Sequence, residues 1–224
     1  MHYFPINLDI RTKPVTIVGG GEVAARKTLR VLDAGGHLTV IAPELSATLR
    51  ELCDNGRITH LARSYTTGDL AGAFLVFAAT DDPAVNHMVA KEAGSLDILV
   101  NRADAQEVGD FSTPAVIARG ELLITISTGG TCPALAGKIR EELEALFGEE
   151  YAETTRLLGA IREKLLTEKV KNAYNKSVFS ELLHHNLPQM LRNSQHDEID
   201  HLLRELLGQG FTLDALLSGE KDPQ

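Results

Sequence analysis

The stretch VTIVGGGEVAARK, Val15–Lys27, decides the fold of this chain. Its first four residues are apolar or β-branched, as is typical of a buried strand, and they run directly into three glycines. Ala25, Leu29 and Leu32 then recur at the i, i+4, i+7 spacing of one helix face, and a glycine pair at 35–36 ends that helix. The stretch therefore predicts a strand, a tight turn and a helix.

The glycine turn fits the G-x-G-x-x-A pattern of a dinucleotide-binding loop, with Gly19, Gly21 and Ala24 at the defining positions. Gly19 permits the tight turn, Gly21 lets a phosphate approach the backbone, and Ala24 lets the helix lie close to the strand. The N–H groups of Glu22 and Val23 are expected to face a pyrophosphate from the helix N-terminus. The alternative is a glycine-rich turn that binds no ligand.

The alternation of strands and helices continues to residue 101. The periodicity predicts further strands at Leu38–Ala42, Ile58–Ala62, Phe74–Ala79 and Asp97–Asn101, and helices from Glu44 to about Asp54 and from Asp82-Pro83 onward. This order predicts an α/β fold, with a Rossmann-like parallel sheet and right-handed crossovers. We place this dinucleotide-binding domain at residues 1–112.

The end of the second predicted strand bears on the choice of cofactor. An acidic residue at that point commonly binds the adenosine ribose, and here Pro43 and Glu44 follow the strand. Glu44 either reaches the ribose or complements the dipole of the following helix. The choice between NAD and NADP stays open, although the lack of an arginine directly after the strand favours NAD.

The pattern changes after Asp110. A short segment and a strand, Leu122–Ser127, lead to the glycine turn TGGTCP and to a helix with Leu135, Ile139, Leu143 and Leu146 on its apolar face. This part predicts a small α+β region at residues 113–148. Residues 149–224 read as a helical C-terminal domain, with Ile199, Leu202, Leu203 and Leu206 in an apolar stripe.

Composition excludes several classes of function. The 224 residues carry a formal net charge of -9, which argues against general binding to nucleic acid or to anionic membranes. The start of the chain lacks the apolar core of a secretory signal, and Cys53 and Cys132 form no CxxC pair. We therefore expect a cytoplasmic protein. The histidines do not have metal-site spacing, and no resident metal is expected.

The stretch LVNRADAQ, Leu99–Gln106, is an apolar strand that ends on an arginine and an aspartate. Ligands of parallel sheets bind beyond the carboxyl ends of the strands. Arg102 and Asp104 share a face if the strand continues, and the guanidinium would then keep the carboxylate ionised near neutral pH. The alternative is that Asp104 only caps a turn.

Five blocks in order carry a resemblance to a known family: YFPINLDI, VGGGEVAARK, AATDDPAVN, NRADAQ and STGGTCPALAGKIREELE. Across about residues 1–148 the chain resembles the precorrin-2 dehydrogenase and sirohydrochlorin ferrochelatase family, the N-terminal module of sirohaem synthase, without the methyltransferase module. The resemblance implies an NAD-binding Rossmann domain at residues 1–112, a small dimerisation domain at residues 113–148 and a helical C-terminal domain at residues 149–224, in an intertwined homodimer. It implies oxidation of precorrin-2 to sirohydrochlorin with NAD. It also implies, for some members, insertion of Fe²⁺ as a substrate to give sirohaem.

The resemblance implies a catalytic role for Asp104 in both reactions. With the glycine loop and the end of the second strand, it gives a cofactor site of Gly19, Gly21, Glu22, Val23, Pro43, Glu44 and Thr80. It gives a substrate site of Arg102, Thr128, Gly129 and Gly130, together with local positive charge for a substrate rich in carboxylates. Thr131 is the expected helix N-cap, and that helix N-terminus either holds a substrate carboxylate or is only capped.

Two alternatives remain at this stage. One is a dehydrogenase without chelatase activity, in which Asp104 would also be present. The other is a non-catalytic NAD(H)-binding sensor that contacts a partner through its C-terminal helices. A sensor would need the glycine loop, but it would not need a second site that carries a carboxylate such as that of Asp104.

Overall fold

The computed structural model describes residues 3–104, 109–167 and 176–218. Its backbone contacts divide the chain into two compact units, Met1–Thr113 with Gly129–Thr131, and Pro114–Thr128 with Cys132–Gln224. The sequence-based division into three domains stays a prediction.

The first unit is a parallel sheet with helices between its strands. In chain order its elements are β1 (Pro14–Val18), α1 (Glu22–Asp33), β2 (His37–Ile41), α2 (Ala47–Asp54), β3 (Thr59–Leu61), β4 (Leu75–Ala78), α3 (Pro83–Ser95) and β5 (Leu99–Arg102). The strand order is β3-β2-β1-β4-β5, and Val15 pairs with Leu38 on one side and Leu75 on the other. The predicted Rossmann-like sheet is confirmed. Its order reverses between β1 and β4, which is where such sheets bind ligands.

Both faces of this sheet are buried, as expected of a parallel sheet between helices. Val15 and Ile17 on β1 lie in one core with Val31 of α1 and Leu49 of α2. Val18, one residue further along the strand, lies in the opposite core with Val89 of α3 and neighbouring residues. Alternate side chains of β1 therefore pack against helices on opposite faces of the sheet.

Two local expectations for this unit are wrong. The predicted apolar face of α1 included Leu29, which is 42% exposed, whereas Thr28 and Val31 are buried. The helix turns its small residues, Ala24 and Ala25, towards the sheet and allows a close approach. Helix α2 does not begin at Glu44, because the Ser46 hydroxyl accepts the Leu49 N–H at 3.5 Å and caps the helix there.

The second unit joins a hairpin to a set of helices. Its elements are β6 (Ala115–Arg119), β7 (Leu122–Ile126), α4 (Pro133–Glu144), α5 (Glu150–Thr167), α6 (Lys176–His184), α7 (Leu187–Arg192), α8 (His196–Leu207) and α9 (Leu213–Leu217). Strands β6 and β7 are antiparallel and form a separate sheet. The predicted helical C-terminal region is confirmed.

The helices of this unit bury the stripe that the sequence indicated on α8. Ile199 and Leu203 are fully buried with Leu157 and Ile161 of α5. The apolar face predicted for this helix is less buried, since Leu135 on α4 is 50% exposed and Leu146, beyond the end of α4, is 65% exposed. Among the described residues, no helix combines the length and the apolar character needed to cross a membrane.

Candidate active site

The glycine loop closes the crevice between β1 and β4. Gly19 has a φ of 126°, and an added Cβ would clash with the Ala79 carbonyl. Gly20 is equally confined, because its Cβ would clash with the carbonyl of Glu44. Backbone hydrogen bonds hold both glycines in place. The Gly19 N–H donates to the Ile41 carbonyl at 2.9 Å, and the Gly20 carbonyl accepts the Ser46 N–H at 2.7 Å. The sequence pattern did not single out Gly20.

Gly21 differs from the two glycines before it. An added Cβ would meet no atom within 4 Å, so this side of the loop is open. Gly21 is the N-cap of α1 without a side-chain cap, and its carbonyl accepts the Ala25 N–H at 3.0 Å. The N–H groups of Glu22 and Val23 therefore lie in the first turn of α1, where no carbonyl of the helix accepts them. An open backbone with forward-facing N–H donors fits the pyrophosphate of a dinucleotide.

The structure bears on the two interpretations of Glu44. Helix α2 has no acidic residue in its first turn, and Glu44 precedes the Ser46 cap. Because the dipole effect falls off within the first turn, Glu44 is poorly placed to complement the dipole of α2. Contact of Glu44 with the ribose stays a prediction. A cavity of about 220 Å³ lies on the β3 side of this point, lined by Pro43, Glu44, Leu45, Arg50, Cys53, Asp54 and His60. Gly19 is not among the residues that line this cavity.

Thr80 follows β4 and is held from α3 by a buried amide. The Oδ1 of Asn86 accepts the Thr80 backbone N–H at 3.1 Å and lies 2.8 Å from the Thr80 hydroxyl. The Nδ2 of Asn86 donates to the Thr80 carbonyl at 2.9 Å. Asp82 caps α3 by accepting the Ala84 N–H at 2.8 Å, as the Asp-Pro sequence indicated. Thr80 is thus fixed at the carboxyl end of β4.

Asp104 lies just beyond β5 and is paired with Arg102. The strand ends at Arg102, yet the two side chains still meet, with Nε 3.3 Å from Oδ1 and Nη2 3.2 Å from Oδ2. Each side chain is only 18% exposed. The Ala103 N–H donates to the Ala78 carbonyl at 3.0 Å, so this chain segment still follows the edge of β4. The carboxylate is therefore held beside the end of the strand that leads to Thr80.

The environment of Asp104 favours its ionised form. Burial alone raises the pKa of this carboxyl, but hydrogen bonds from the Arg102 and Asn86 side chains and from the backbone outweigh it, and the net pKa lies below the ordinary value. Asp104 is therefore a carboxylate at neutral pH. It can stabilise a nearby positive charge, accept a proton or contact a cation.

A second polar group anchors β5 from the other side. The Nζ of Lys27 on α1 donates to Oδ1 of Asn101 at 2.7 Å, and Nδ2 of Asn101 donates to the Phe111 carbonyl at 2.8 Å. Val100 N–H donates to the Asp110 carboxylate at 2.9 Å. The segment that carries Asp104 is thus tied down on both flanks.

The predicted substrate turn lies between β7 and α4. The Thr128 hydroxyl accepts the Cys132 N–H at 3.2 Å, so Thr128 stabilises the turn. Gly129 and Gly130 adopt positive φ values of 62° and 82°, which suits glycine. The prediction of Thr131 as the N-cap is wrong, because Cys132 occupies that position without a side-chain cap bond. Contact of Thr128, Gly129 and Gly130 with substrate stays a prediction.

Two arginines of the second unit pair with acidic residues. Arg119 lies 3.3 Å from Glu149, and Arg140 lies 2.7 Å from Glu144. Over residues 3–104, 109–167 and 176–218, no group of three or more His, Cys, Asp or Glu side chains is placed to hold a metal ion.

Three residues at this site were missed from the sequence: Lys27, Asn86 and Asn101. Asn86 ends the block AATDDPAVN, and Asn101 sits inside the apolar run DILVN. Both are buried polar residues, and such groups need hydrogen-bond partners. A polar residue at an apolar position was the available signal, but the identity of its partners depends on the tertiary fold.

Family models match two consecutive parts of the chain. A putative NAD(P)-binding model matches residues 6–115, and a model for the central domain of sirohaem biosynthesis proteins matches residues 119–146. The first match covers the parallel sheet and the glycine loop. The second covers β7 and α4.

Curated relatives and a solved structure point the same way. The sirohaem synthase of Methylobacillus flagellatus is 35% identical over 92% of this chain and 44% of its own length. Sirohaem synthase 3 of Aeromonas hydrophila is 43% identical over 74% of this chain and 35% of its own length. The structure of SirC, a precorrin-2 dehydrogenase, matches with a TM-score of 0.76 and 29% identity, over 91% of this chain and 98% of that one. The chain spans less than half the length of these curated relatives.

Proposed function

The chain belongs to the precorrin-2 dehydrogenase and sirohaem synthase family, and from that membership we propose that it oxidises precorrin-2 to sirohydrochlorin with NAD. The observation that carries the proposal is the placement of Asp104. An ionised carboxylate stands beyond β5, next to β4, while the glycine loop closes on the end of β4 from the β1 side. A dinucleotide loop and a proton-accepting group therefore share one edge of the sheet.

The cofactor half of the proposal rests on the glycine loop. The open backbone at Gly21 and the N–H groups of Glu22 and Val23 would hold the pyrophosphate, and Glu44 with Pro43 would take the adenosine ribose. Thr80 would line the crevice nearer the reacting end. When bound, NAD supplies the hydride acceptor.

The substrate half rests on Asp104 and Arg102. Oxidation of precorrin-2 removes one hydride and one proton, so the macrocycle carries extra positive charge after the hydride leaves. The Asp104 carboxylate stabilises that charge and accepts the proton, which returns the macrocycle to its original charge. Arg102 keeps the carboxylate ionised and oriented. It also offers positive charge to a substrate that carries many carboxylates.

The test is an assay with freshly prepared precorrin-2 and NAD in the absence of oxygen. NADH absorbance rising together with the sirohydrochlorin spectrum is the expected result. If the protein binds NAD but forms no NADH from precorrin-2, the proposal is wrong, and a non-catalytic NAD(H)-binding role takes its place.

Ferrous iron insertion is the proposed second activity, with Fe²⁺ as a substrate. The same carboxylate supports it, because an ionised oxygen ligand can steer a divalent cation while the macrocycle supplies four nitrogens. Adding Fe²⁺ to completed dehydrogenase reactions tests this step. Conversion of the sirohydrochlorin spectrum to that of sirohaem, faster than without protein, is expected. If the protein does not change the rate of iron insertion, the proposal is reduced to the dehydrogenase activity.

The proposal includes a homodimer in the cytoplasm, as the family resemblance implies. Two exposed apolar residues, Leu135 on α4 and Leu146 just after its end, are compatible with a further contact in an assembly. Sedimentation of the purified protein measures the mass directly, and a monomer at micromolar concentration would remove the dimer from the proposal.

A further inference from the structure

Asn86 on α3 makes contacts that its own helix does not require. It is fully buried and sits in the first turn after the Asp82 cap, where its backbone N–H donates to the Asp82 carbonyl at 3.1 Å. Its side chain faces the loop after β4 instead of solvent. A buried amide of this kind is stable only if its polar atoms find partners.

The orientation of the Asn86 amide is fixed by its partners. The Thr80 backbone N–H can only donate, so the atom facing it at 3.1 Å is the oxygen. The Thr80 carbonyl can only accept, so the atom facing it at 2.9 Å is the nitrogen. One Nδ2 proton is used by the Thr80 carbonyl, and the amide also lies close enough to the Asp104 carboxylate to help lower the pKa of that carboxyl. Asn86 thus holds the loop after β4 and lies beside the loop after β5.

The sheet register explains how one amide reaches both loops. Ala78 on β4 pairs with Arg102 on β5, and the Ala103 N–H donates to the Ala78 carbonyl. Thr80 and Asp104 each lie two residues beyond that pair. Helix α3 connects these same two strands, so its first turn begins where both loops lie.

We propose that Asn86 is a positioning residue that couples the cofactor loop at Thr80 to the carboxylate of Asp104. The inference rests on the proposed function, in which Thr80 lines the cofactor crevice and Asp104 acts on the substrate. A rigid link between the two sets the distance between hydride acceptor and proton acceptor. Misplacement of a reacting group by about 1 Å can cost on the order of 100-fold in rate.

The charged groups around Asn86 and Asp104 have to be considered when the Asp104 carboxyl is titrated. Arg102 on β5 contacts Asp104 directly, Asp81 and Asp82 precede α3, and Lys27 on α1 reaches β5 through Asn101. The Asp82 carboxylate is directed to the N–H groups of its own helix.

The first experiment leaves Asn86 in place. Side-chain amide resonances of ¹⁵N-labelled protein are compared between wild type and Asp104→Ala. The expected result is a changed shift and faster hydrogen exchange for one Asn86 Nδ2 proton in the variant. An unchanged Asn86 amide overturns the coupling, whether or not the protein is a dehydrogenase.

The second experiment uses Asn86→Ala, with Val89→Ala as the matched control. Val89 is a fully buried residue of the same helix that belongs to the apolar core. The Asp104 carboxyl carbon is expected to titrate at higher pH in Asn86→Ala and unchanged in Val89→Ala. With precorrin-2 and NAD, kcat is expected to fall about 100-fold in Asn86→Ala only.

The outcomes separate the two proposals. An equal loss of kcat in both variants means a structural role and overturns the inference, as does a folded Asn86→Ala with full kcat. If Asn86→Ala does not fold, the wild-type comparison with Asp104→Ala still decides the coupling. Wild-type protein without NADH formation overturns the proposed function, and the amide resonances then decide the coupling alone.

Discussion

Arg102 holds the carboxylate of Asp104 at two points, with Nε 3.3 Å from Oδ1 and Nη2 3.2 Å from Oδ2. The contact spans only two residues and lies just past the end of β5. Both side chains are largely withdrawn from water, so the interaction is screened less than one at an open surface. This pair links the end of a buried strand to the chemistry proposed for the site.

Removing the guanidinium is expected to make Asp104 a weaker acid. Because the folded-state pKa of Asp104 lies below its unfolded value, its contribution to stability is present above about pH 4. It is lost as pH falls through the folded pKa. Arg102→Met should therefore lower the free energy of unfolding by up to about 1 kcal/mol at pH 6, with a smaller difference near pH 3.

Urea unfolding of wild type and Arg102→Met across this pH range measures the difference. Arg50→Met is a suitable control, since Arg50 is exposed and donates only to a backbone carbonyl. A difference between wild type and Arg102→Met that is constant from pH 6 to pH 3 would contradict the linkage to Asp104.

The three glycines of the loop are expected to respond differently to alanine. Gly19→Ala forces a Cβ into the Ala79 carbonyl at a φ of 126°, and backbone strain alone costs about 1–3 kcal/mol. Gly21→Ala meets no atom within 4 Å, so its free energy of unfolding should match wild type. Its NAD affinity should nevertheless fall by tenfold or more, about 1.4 kcal/mol, because the methyl occupies the side left open for phosphate.

Urea unfolding and calorimetric titration with NAD separate the two effects. Gly94→Ala, in the last turn of α3 with equally open space around it, is the control for a glycine unrelated to the crevice. Undiminished NAD binding by Gly21→Ala would remove the glycine loop from the cofactor site.

Most of the fold, but less of the site, follows from sequence. The GxGxxA spacing predicts β1, the turn and α1, because each position of that motif has one local steric requirement. The start of α2 was misplaced because Ser46 competes with Glu44 as a helix start, and only the cap bond to Leu49 decides between them. The Arg102–Asp104 contact was foreseen from the i, i+2 spacing, although the strand ends before Asp104.

The contacts that the sequence could not provide are those between distant segments. Lys27 and Asn101 are 74 residues apart, and their hydrogen bond exists because α1 lies over the end of β5. No pattern within either segment specifies the partner. The same holds for Asn86, whose partners are set by the register of β4 with β5.

Lys27 gives a testable pH dependence of stability. Burial, followed by the charges of Arg30 and Arg26, lowers the pKa of Lys27 to about 8. An unfolded lysine has a pKa of about 10.4, so the unfolded state binds more protons between these values. The contribution of Lys27 therefore makes the free energy of unfolding rise with pH across this window. Lys27→Met should remove that rise.

Unfolding by urea between pH 7 and pH 10.5 gives the two slopes, and only their difference is assigned to Lys27. Lys138→Met, at an exposed lysine with acidic neighbours, should keep the wild-type slope. Equal slopes in wild type and Lys27→Met would show that the lysine titrates alike in the folded and unfolded states.

Glu44 is expected to select between dinucleotides. If its carboxylate accepts hydrogen bonds from the adenosine ribose, Glu44→Ala weakens NAD binding and has less effect on NADP, whose 2′-phosphate the carboxylate repels. Stability should change little, because Glu44 lies before the capped start of α2. Parallel titrations with NAD and NADP measure the ratio. Equal losses for the two cofactors would exclude the ribose contact.

The most direct measurement of the central claim compares wild type with Asp104→Asn in anaerobic oxidation of precorrin-2, recorded as NADH formation. The account predicts NADH from wild type and a loss of about 100- to 10,000-fold in kcat for the variant. NAD affinity should be unchanged, and Asp33→Asn, at an exposed carboxylate on α1, should keep full activity. Wild-type kcat in a folded Asp104→Asn protein would contradict the role of this carboxylate.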